Sequence, residues 1–315
     1  MGSRRVDSGA GVSQRPRFAS QHVQHRRRRR IALAALAAVV AVPTLVLTAF
    51  RGPGSPGAEA GWSGTKLLHG TRAIVSAARQ KAAAERLVQL GLPVYCAGAQ
   101  GRFVALTFDD GPSEHTPRFH ALLRTAGARA TFFIVGGNLV SPTFAAFARD
   151  DARIGALGDH TWLHTSLAGL PEDRIVDEIV DTKRAIVKAT QAPVLVFRPP
   201  FASRDAVVER VVRSQRMVMT LWNTDSRDWS GAGWRQIGKN VVRGLEPGSI
   251  ILMHDTRPAS LEALRKVILP ELRKRRLQAV TLPELIALNP PSARQLREDA
   301  SRGACSRGHY EGNAP

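Results

Sequence analysis

Short apolar runs alternate with amphipathic stretches through most of the chain, and this alternation limits the possible folds most strongly. The apolar runs predict seven buried strands, Val104–Phe108, Thr131–Val135, Ile154–Leu157, Val194–Phe197, Val218–Trp222, Ile250–Met253 and Gln278–Thr281. The intervening stretches predict helices at Thr116–Ala126, Glu172–Ala189, Asp205–Ser214, Trp234–Arg243 and Leu261–Arg275. This alternation is typical of an α/β fold with a parallel sheet. Seven such units favour a barrel over an open sheet.

Unusual polar clusters follow five of these strands directly. They are Asp109–Asp110, Asp159–His164, Arg198–Phe201, Asp225–Trp229 and His254. In β/α barrels the carboxyl ends of the strands share one face, and that face holds the active site. We therefore expect these groups to converge in one cleft, although they are far apart in the sequence.

The His160 and His164 pair predicts a metal site. The two residues are four positions apart, so one helical turn would place both rings on the same side. Two neutral imidazoles and one carboxylate from the Asp109–Asp110 pair form the usual three-ligand site for a divalent ion. Zinc is the expected ion, and cobalt, nickel or iron would suit the same ligands. Such an ion lowers the pKa of a water from about 15.7 towards 7.

Other polar residues of these clusters are predicted to act as the general base and the general acid. The Asp of the pair that does not bind the metal can act as a general base if an arginine keeps it ionised, and Arg198 follows a strand at the same predicted face. His254 can act as a general acid, which an amide nitrogen requires when it leaves, provided that a nearby Asp raises its pKa.

This residue set resembles the polysaccharide deacetylases of the NodB-homology group, the fourth carbohydrate esterase family. The resemblance covers about Val104 to Leu285, and all five family motifs occur in order. They are TFDDGP at Thr107–Pro112, HTWLH at His160–His164, RPPF at Arg198–Phe201, DSRDW at Asp225–Trp229 and ILMH at Ile251–His254. The resemblance implies a distorted barrel of about seven or eight strands and a metal-dependent deacetylase.

The resemblance also assigns the metal-side residues. It implies that Asp109 is the catalytic base and that Asp110 binds the metal. His160 and His164 become the other two ligands. Arg198 is expected to hold the base in its ionised form.

The remaining assignments concern the acid and the substrate. The resemblance implies that His254 is the acid, and we expect Asp228 to tune its pKa. The backbone N–H of Phe201 would stabilise the oxyanion. Trp229 is expected to line the groove, and Leu252 the acetyl pocket.

One position departs from the family pattern. The third motif commonly ends in an aromatic residue followed by Gly, whereas this chain has Phe201 and then Ala202. The change can shift the loop that carries the oxyanion donor. It touches no catalytic side chain, so we expect it to be tolerated.

The N-terminal region reads as a membrane anchor. Arg26–Arg30 precede Ile31–Phe50, twenty residues without a charge, which as a helix would span a hydrocarbon core of about 30 Å. The arginines predict that residues 1–30 stay in the cytoplasm and that the catalytic body lies outside a single-pass anchor. The alternative is a cleaved signal, with a small-residue site at Ala58–Ala60, which would give a secreted protein.

The rest of the chain divides into three parts. Residues 51–93 are predicted to form a linker and a stalk helix, residues 94–290 the deacetylase domain, and residues 291–315 a polar, irregular tail. Cys96 and Cys305 are the only cysteines. An even count on the exported side favours a disulfide between them over two free thiols.

The charge balance bears on the partners. The net charge is +19, which alone could indicate nucleic-acid binding. Almost half of it lies in residues 1–51, which hold ten Arg and one Asp, and no nucleic-acid motif is present. We therefore expect no nucleic-acid partner, and the remaining positive charge suits anionic wall polymers or lipid head groups.

The expected substrate is an acetylated glycan. N-acetylglucosamine units of peptidoglycan are the first choice, because a short tether would hold the enzyme beside the cell wall. Chito-oligosaccharides are a second substrate of the same reaction, and O-acetylated xylan would make the protein an esterase. A catalytically inactive glycan-binding protein is a further alternative, against which the complete set of base, ligands, arginine and acid argues.

Overall fold

The computed structural model describes residues 73–306. Its strands are β1 (Phe103–Gly111), β2 (Thr131–Ile134), β3 (Ala156–Asp159), β4 (Val194–Phe197), β5 (Val218–Met219), β6 (Thr224–Asp225), β7 (Ile250–His254) and β8 (Gln278–Val280). The helices are α1 (Ala77–Leu90), α2 (Thr116–Ala126), α3 (Pro142–Ile154), α4 (Glu172–Thr190), α5 (Ala206–Ser214), α6 (Trp234–Gly244), α7 (Pro258–Ala263), α8 (Leu269–Lys274), α9 (Leu282–Leu288) and α10 (Ala293–Arg302). All seven predicted strands are present, each end within three residues of its prediction.

The strands form one parallel sheet in the order β5-β4-β3-β2-β1-β7-β6. Strand β1 is central: β7 pairs with one edge, while β2 and β8 pair with successive parts of the other. No ladder joins β5 to β6 in the part of the chain that the structure describes. The predicted parallel α/β fold is confirmed, and the barrel is partial, because hydrogen bonds do not close the ring.

Alternate residues of β1 face two different layers. Leu106 and Phe108 belong to a large core that packs under helices α2 to α8. Ala105 belongs to a second core, formed with α1, α9 and α10. Since successive strand residues point to opposite faces, Thr107 and Asp109 lie on the same face as Ala105. The strand therefore carries Asp109 away from the large core.

Two terminal segments predicted to lie outside the domain are part of it. Helix α1 begins after Ser76, whose side chain caps it, and buries Ala84 and Leu87 in the second core. Helix α10 buries Leu296 in the same core. The helix predicted within residues 51–93 is therefore present, but it packs on the domain and is not a separate stalk, and the tail predicted to be irregular contains helix α10. Each helix has only one or two fully buried apolar side chains, so its sequence pattern was too weak to reveal the packing.

The prediction of a membrane anchor concerns residues that the structure does not describe. The basic tail 1–30, the anchor 31–50 and the possible cleavage site Ala58–Ala60 are outside the described residues. Between residues 73 and 306, no helix is both long enough and apolar enough to cross a bilayer.

Candidate active site

Asp109 and Arg198 form a buried ion pair at the carboxyl ends of β1 and β4. Arg198 Nη1 donates to Asp109 Oδ1 at 2.7 Å. The same nitrogen donates to Thr107 Oγ1 at 2.7 Å, and Nη2 donates to the Leu221 carbonyl oxygen at 3.0 Å. Because the guanidinium remains charged in proteins, this contact is a charge-assisted hydrogen bond that fixes the direction of the Asp109 carboxylate.

Aromatic rings shield this pair from solvent. Arg198 is fully buried and Asp109 is only 3% exposed. The guanidinium carbon lies 4.2 Å from the ring centroid of Phe133 and 5.6 Å from that of Trp222. A buried charge is stable only if it is paired, so each of the two charged groups needs the other.

Asp110 and the two histidines converge beside that pair. Asp110 Oδ1 lies 3.4 Å from His160 Nε2 and 3.0 Å from His164 Nε2. His160 Nδ1 lies 2.7 Å from the carbonyl oxygen of Arg198. A carbonyl only accepts, so His160 Nδ1 donates this hydrogen bond, and Nε2 is the ring nitrogen that faces Asp110.

The geometry of these three residues fits a divalent ion. Their ligand atoms lie within 4.8 Å of one another. Ligands about 2.1 Å from a tetrahedral ion are about 3.4 Å apart, close to the distances between Asp110 and the histidines. Burial raises the pKa of Asp110, but hydrogen bonds from His160 and His164 and the charges of His160 and His254 outweigh it and lower the pKa below its ordinary value. The carboxylate is therefore ionised, as a ligand must be.

A second group of ligand atoms does not form such a site. Cys96, Asp299 and Cys305 also lie close together. However, the two cysteines form a disulfide, with their Cα atoms 5.7 Å apart, so neither sulfur is a thiolate. This disulfide is the one that the cysteine count favours.

His254 is held at the end of β7 by Asp228. His254 Nδ1 lies 2.7 Å from Asp228 Oδ1, and His254 Nε2 lies 3.9 Å from Asp110 Oδ2. Burial lowers the pKa of His254, but the hydrogen bond and charge of Asp228 outweigh it and raise the pKa to about 9. His254 therefore carries a proton at neutral pH, with Nε2 facing the predicted metal ligands.

The predicted substrate residues occupy different depths. Phe201 is 59% and Trp229 is 48% exposed, whereas Leu252 is buried at 4%. The Phe201 ring stacks edge-on against His164, with 4.7 Å between centroids. Trp229 Nε1 lies 3.4 Å from Asp225 Oδ1. Two exposed rings near the site offer apolar faces to a ligand, and Leu252 is buried in β7.

Backbone strain is concentrated around this site. Of the nine non-glycine residues with positive φ in the described chain, six lie at or just after the carboxyl ends of β1, β3, β4 and β6: Asp110, Thr161, His164, Phe201, Ala202 and Arg227. The other three, Gln191, Arg216 and Arg276, each lie within two residues of the end of a helix. Strained conformations persist where the surroundings enforce them, often at functional sites.

Three supporting residues are absent from the sequence prediction. Glu178 Oε2 accepts the N–H groups of Trp162 and Leu163 at 2.8 and 2.9 Å, which fixes the loop between the two histidines. Asn138 Nδ2 donates to the Asp110 carbonyl oxygen at 3.0 Å. Ser260 donates to Asp228. One feature could have identified Glu178 in the sequence: it is a charged residue on the apolar face of α4, next to Ile179.

Comparison with known proteins gives a consistent result. The family model for polysaccharide deacetylases matches residues 97–220. A peptidoglycan-N-acetylglucosamine deacetylase of Bacillus cereus is 33% identical over 192 residues, which make up 59% of this chain and 88% of that protein.

Solved structures show the same similarity. A family 4 acetyl xylan esterase from Clostridium thermocellum, in complex with a cobalt ion, aligns with a TM-score of 0.55 at 30% identity, over 61% of this chain and 93% of that one. A family 4 pseudoenzyme from Bacillus anthracis aligns with a TM-score of 0.57 at 28% identity, over 62% of this chain and 68% of that one. Both active and inactive proteins therefore share this fold.

Proposed function

Because the chain belongs to the polysaccharide deacetylase family, we propose that it hydrolyses N-acetyl groups of an N-acetylglucosamine-containing envelope polysaccharide, with peptidoglycan as its substrate. One observation carries the proposal. The ion-paired Asp109 and the protonated His254 both face the cluster of Asp110, His160 and His164, at 3.7 Å from His160 Nε2 and 3.9 Å from Asp110 Oδ2 respectively. Amide hydrolysis needs a base and an acid at the same centre.

Asp109 acts as the general base. Its Oδ1 is held by Arg198, so Oδ2 remains to take a proton from the attacking water. Arg198 pairs with this carboxylate and fixes its direction. The low exposure of both groups strengthens this interaction, because charges attract more strongly where water is excluded.

His254 acts as the general acid. The tetrahedral intermediate releases an amine only when its nitrogen gains a proton, and His254 Nε2 is the group that faces the site. Asp228 holds the opposite ring nitrogen and thereby keeps the imidazole charged and oriented. After the proton has left, the same hydrogen bond holds the neutral ring in position.

Asp110, His160 and His164 would hold a divalent metal ion. The ligand set suits zinc, and one similar enzyme holds cobalt; when bound, such an ion would supply Lewis-acid polarisation of the acetyl carbonyl and a lower pKa for water. His160 Nδ1 donates a hydrogen bond to the Arg198 carbonyl oxygen, which leaves Nε2 as the nitrogen that can bind metal. Glu178 holds the loop that carries both histidines.

The substrate-binding roles follow from exposure and position. Phe201 and Trp229 offer exposed rings on which sugar faces can stack, and Leu252 supplies an apolar surface for the acetyl methyl group. The backbone N–H of Phe201 is proposed to stabilise the oxyanion. The B. cereus relative acts on peptidoglycan N-acetylglucosamine, which supports the choice of polymer.

An O-acetyl esterase is the second candidate, and its support is the similarity to an acetyl xylan esterase. The same base and metal ligands could hydrolyse an ester. The ester needs less help from an acid, because an alkoxide leaves more readily than an amide anion. The presence of the Asp228–His254 pair therefore favours the amide substrate.

We place the catalytic body outside the cytoplasmic membrane, tethered by residues 31–50, or secreted if the chain is cut near Ala58–Ala60. The Arg26–Arg30 run and the uncharged stretch after it support this location. A disulfide between Cys96 and Cys305 also agrees with an oxidising compartment.

One experiment tests the proposal directly. Acetate release would be measured from purified peptidoglycan, from N-acetylglucosamine oligomers and from acetylated xylan, with and without a chelator. We expect release from the first two, lost with chelator and restored by added zinc or cobalt. Release from xylan alone would replace the proposed function by the esterase, and no release from any glycan would support an inactive protein.

A further inference from the structure

A small cluster of side chains lies against the loop that follows β4. Its buried members are Tyr95, Cys96, Leu221 and Cys305, and Ala202 and Trp222 pack against them; we call it the disulfide cluster. The bond between Cys96 and Cys305 joins the segment before β1 to the C-terminal segment. Ala202 follows Phe201 directly, so it connects this cluster to the proposed substrate loop.

The conformation of this loop is strained. Phe201 and Ala202 have φ of 57° and 54°, the left-handed region that L side chains avoid and glycine accepts readily. Ala202 N donates to the Pro199 carbonyl oxygen at 3.2 Å. Two consecutive strained residues require support from their surroundings. The contact of Ala202 with the disulfide cluster provides such support.

Further contacts tie the loop on both sides. Arg204 donates to the Tyr95 hydroxyl of the disulfide cluster. Ser203 Oγ accepts the Ala168 N–H at 3.0 Å, in the loop that carries His164. The Phe201 ring lies against the His164 ring. The loop is therefore held between the disulfide cluster and the histidine loop.

The same cluster also borders the base. Leu221, one of its buried members, accepts a hydrogen bond from Arg198 through its carbonyl oxygen at 3.0 Å. Arg198 in turn holds Asp109. A shift of the disulfide cluster would therefore displace both the Phe201 loop and Arg198, the partner of Asp109.

We propose that Ala202 is a positioning residue: its methyl group, braced by the disulfide cluster, fixes Phe201 beside His164, so that the Cys96–Cys305 bond supports turnover as well as folding. This inference rests on the proposed function, which places the reacting acetyl group at Phe201 and His164. Small displacements of a positioned group can cost a large factor in rate. The effect should appear in kcat more than in KM, because the oxyanion forms only during the reaction.

The test compares glycine substitutions at two residues that share the left-handed backbone conformation. Ala202→Gly removes the methyl group, and Gln191→Gly, at an exposed residue of φ 59° after α4, is the matched control. Glycine relieves left-handed strain in both variants. We expect kcat to fall about tenfold in Ala202→Gly and to stay unchanged in Gln191→Gly, with wild-type melting temperature or higher in both. A kcat for Ala202→Gly equal to wild type would overturn the inference.

A double-mutant cycle links the effect to the disulfide. In a Cys96→Ala/Cys305→Ala background, adding Ala202→Gly should lower kcat much less than in the wild type, because the brace is already lost. Independent effects would multiply in kcat, and that result would contradict the proposed coupling.

Hydrogen exchange gives a readout that does not depend on activity. The amides of residues 201–204 should exchange faster in Ala202→Gly and in the cysteine double variant than in the wild type. Unchanged exchange in Ala202→Gly would overturn the inference even if the protein released no acetate. Absence of acetate release by the wild type would instead count against the proposed function alone.

Discussion

Asp228 contacts His254 through both of its carboxylate oxygens. Oδ1 lies 2.7 Å from the imidazole Nδ1, and Oδ2 accepts the backbone N–H of His254 at 2.8 Å. One residue thus fixes the position, the orientation and the charge of the proposed acid. Burial raises the pKa of Asp228, but these bonds outweigh it and lower the pKa, so the partner stays ionised.

This contact predicts a specific pH dependence. Because the pKa of His254 is raised to about 9, the charged form stabilises the folded protein fully below the ordinary pKa near 6.5, and this contribution is lost as pH rises through about 9. The kcat should fall in the same upper range as the acid deprotonates. In Asp228→Asn, the alkaline limb of the kcat profile should move down towards 6.5. An alkaline limb that stays in place would argue against His254 as the acid.

Replacement of the base should separate turnover from metal binding. Asp109→Asn keeps the size of the side chain but cannot take a proton, so kcat should fall by about 10²- to 10⁴-fold. Metal content, measured by mass spectrometry of the dialysed protein, should stay at the wild-type level, because Asp110 and the histidines are intact. Asp173→Asn, on the exposed first turn of α4, serves as the control. Acetate release that survives in Asp109→Asn would show that the base lies elsewhere.

The residues of the site could be predicted because their chemistry is unusual for the places where they occur. Adjacent acids at a strand end, paired histidines and a lone arginine before two prolines stand out from any structural pattern. Each follows an apolar run that marks a strand, so parallel topology alone brings them together. The distances between Asp109 and Arg198 and between Asp228 and His254 agree with the pairs expected from the sequence. The comparisons confirm the family that the five motifs indicated.

The parts of the fold that the sequence did not predict lack such distinctive residues. Strand β6 has only two residues, Thr224 and Asp225, and neither belongs to an apolar run. Helix α3 buries Asp151 against His120, with 2.5 Å between Oδ1 and Nε2, so a polar pair interrupts its apolar stripe. Whether β5 pairs with β6 depends on the packing of the whole sheet, which no local pattern specifies.

The loop between the two histidines should depend on Glu178. This residue is 5% exposed and accepts two backbone N–H groups of the loop. Glu178→Ala would leave those N–H groups without their acceptor, and we expect metal affinity to fall by roughly 10- to 100-fold, as for other residues that orient ligands. Asp177→Ala, one residue away and exposed, is the matched control. Titration of the metal-free proteins with zinc measures both, and equal affinities would remove Glu178 from this role.

The disulfide should contribute strongly to stability. Its loop spans 209 residues, and the entropy of closing so long a loop predicts a loss of roughly 5 kcal/mol when the bond is removed, with 2–5 kcal/mol typical of native disulfides. Urea unfolding of the Cys96→Ala/Cys305→Ala variant measures this loss. A change below about 1 kcal/mol would mean that the unfolded chain gains little freedom when the bond is absent.

The last prediction concerns helix α1 and tests whether this helix is part of the folded domain or a separate stalk. Leu87 is 1% exposed and packs in the second core with Val94 and Leu285. Leu87→Ala should therefore lower the free energy of unfolding by about 2–5 kcal/mol, the range for a buried leucine that leaves a cavity. Gln89→Ala, exposed on the same helix, should change it by less than about 0.5 kcal/mol. Both values come from urea unfolding of the whole chain. If Leu87→Ala behaved like Gln89→Ala, α1 would be a stalk that the domain does not need, and the domain would begin after it.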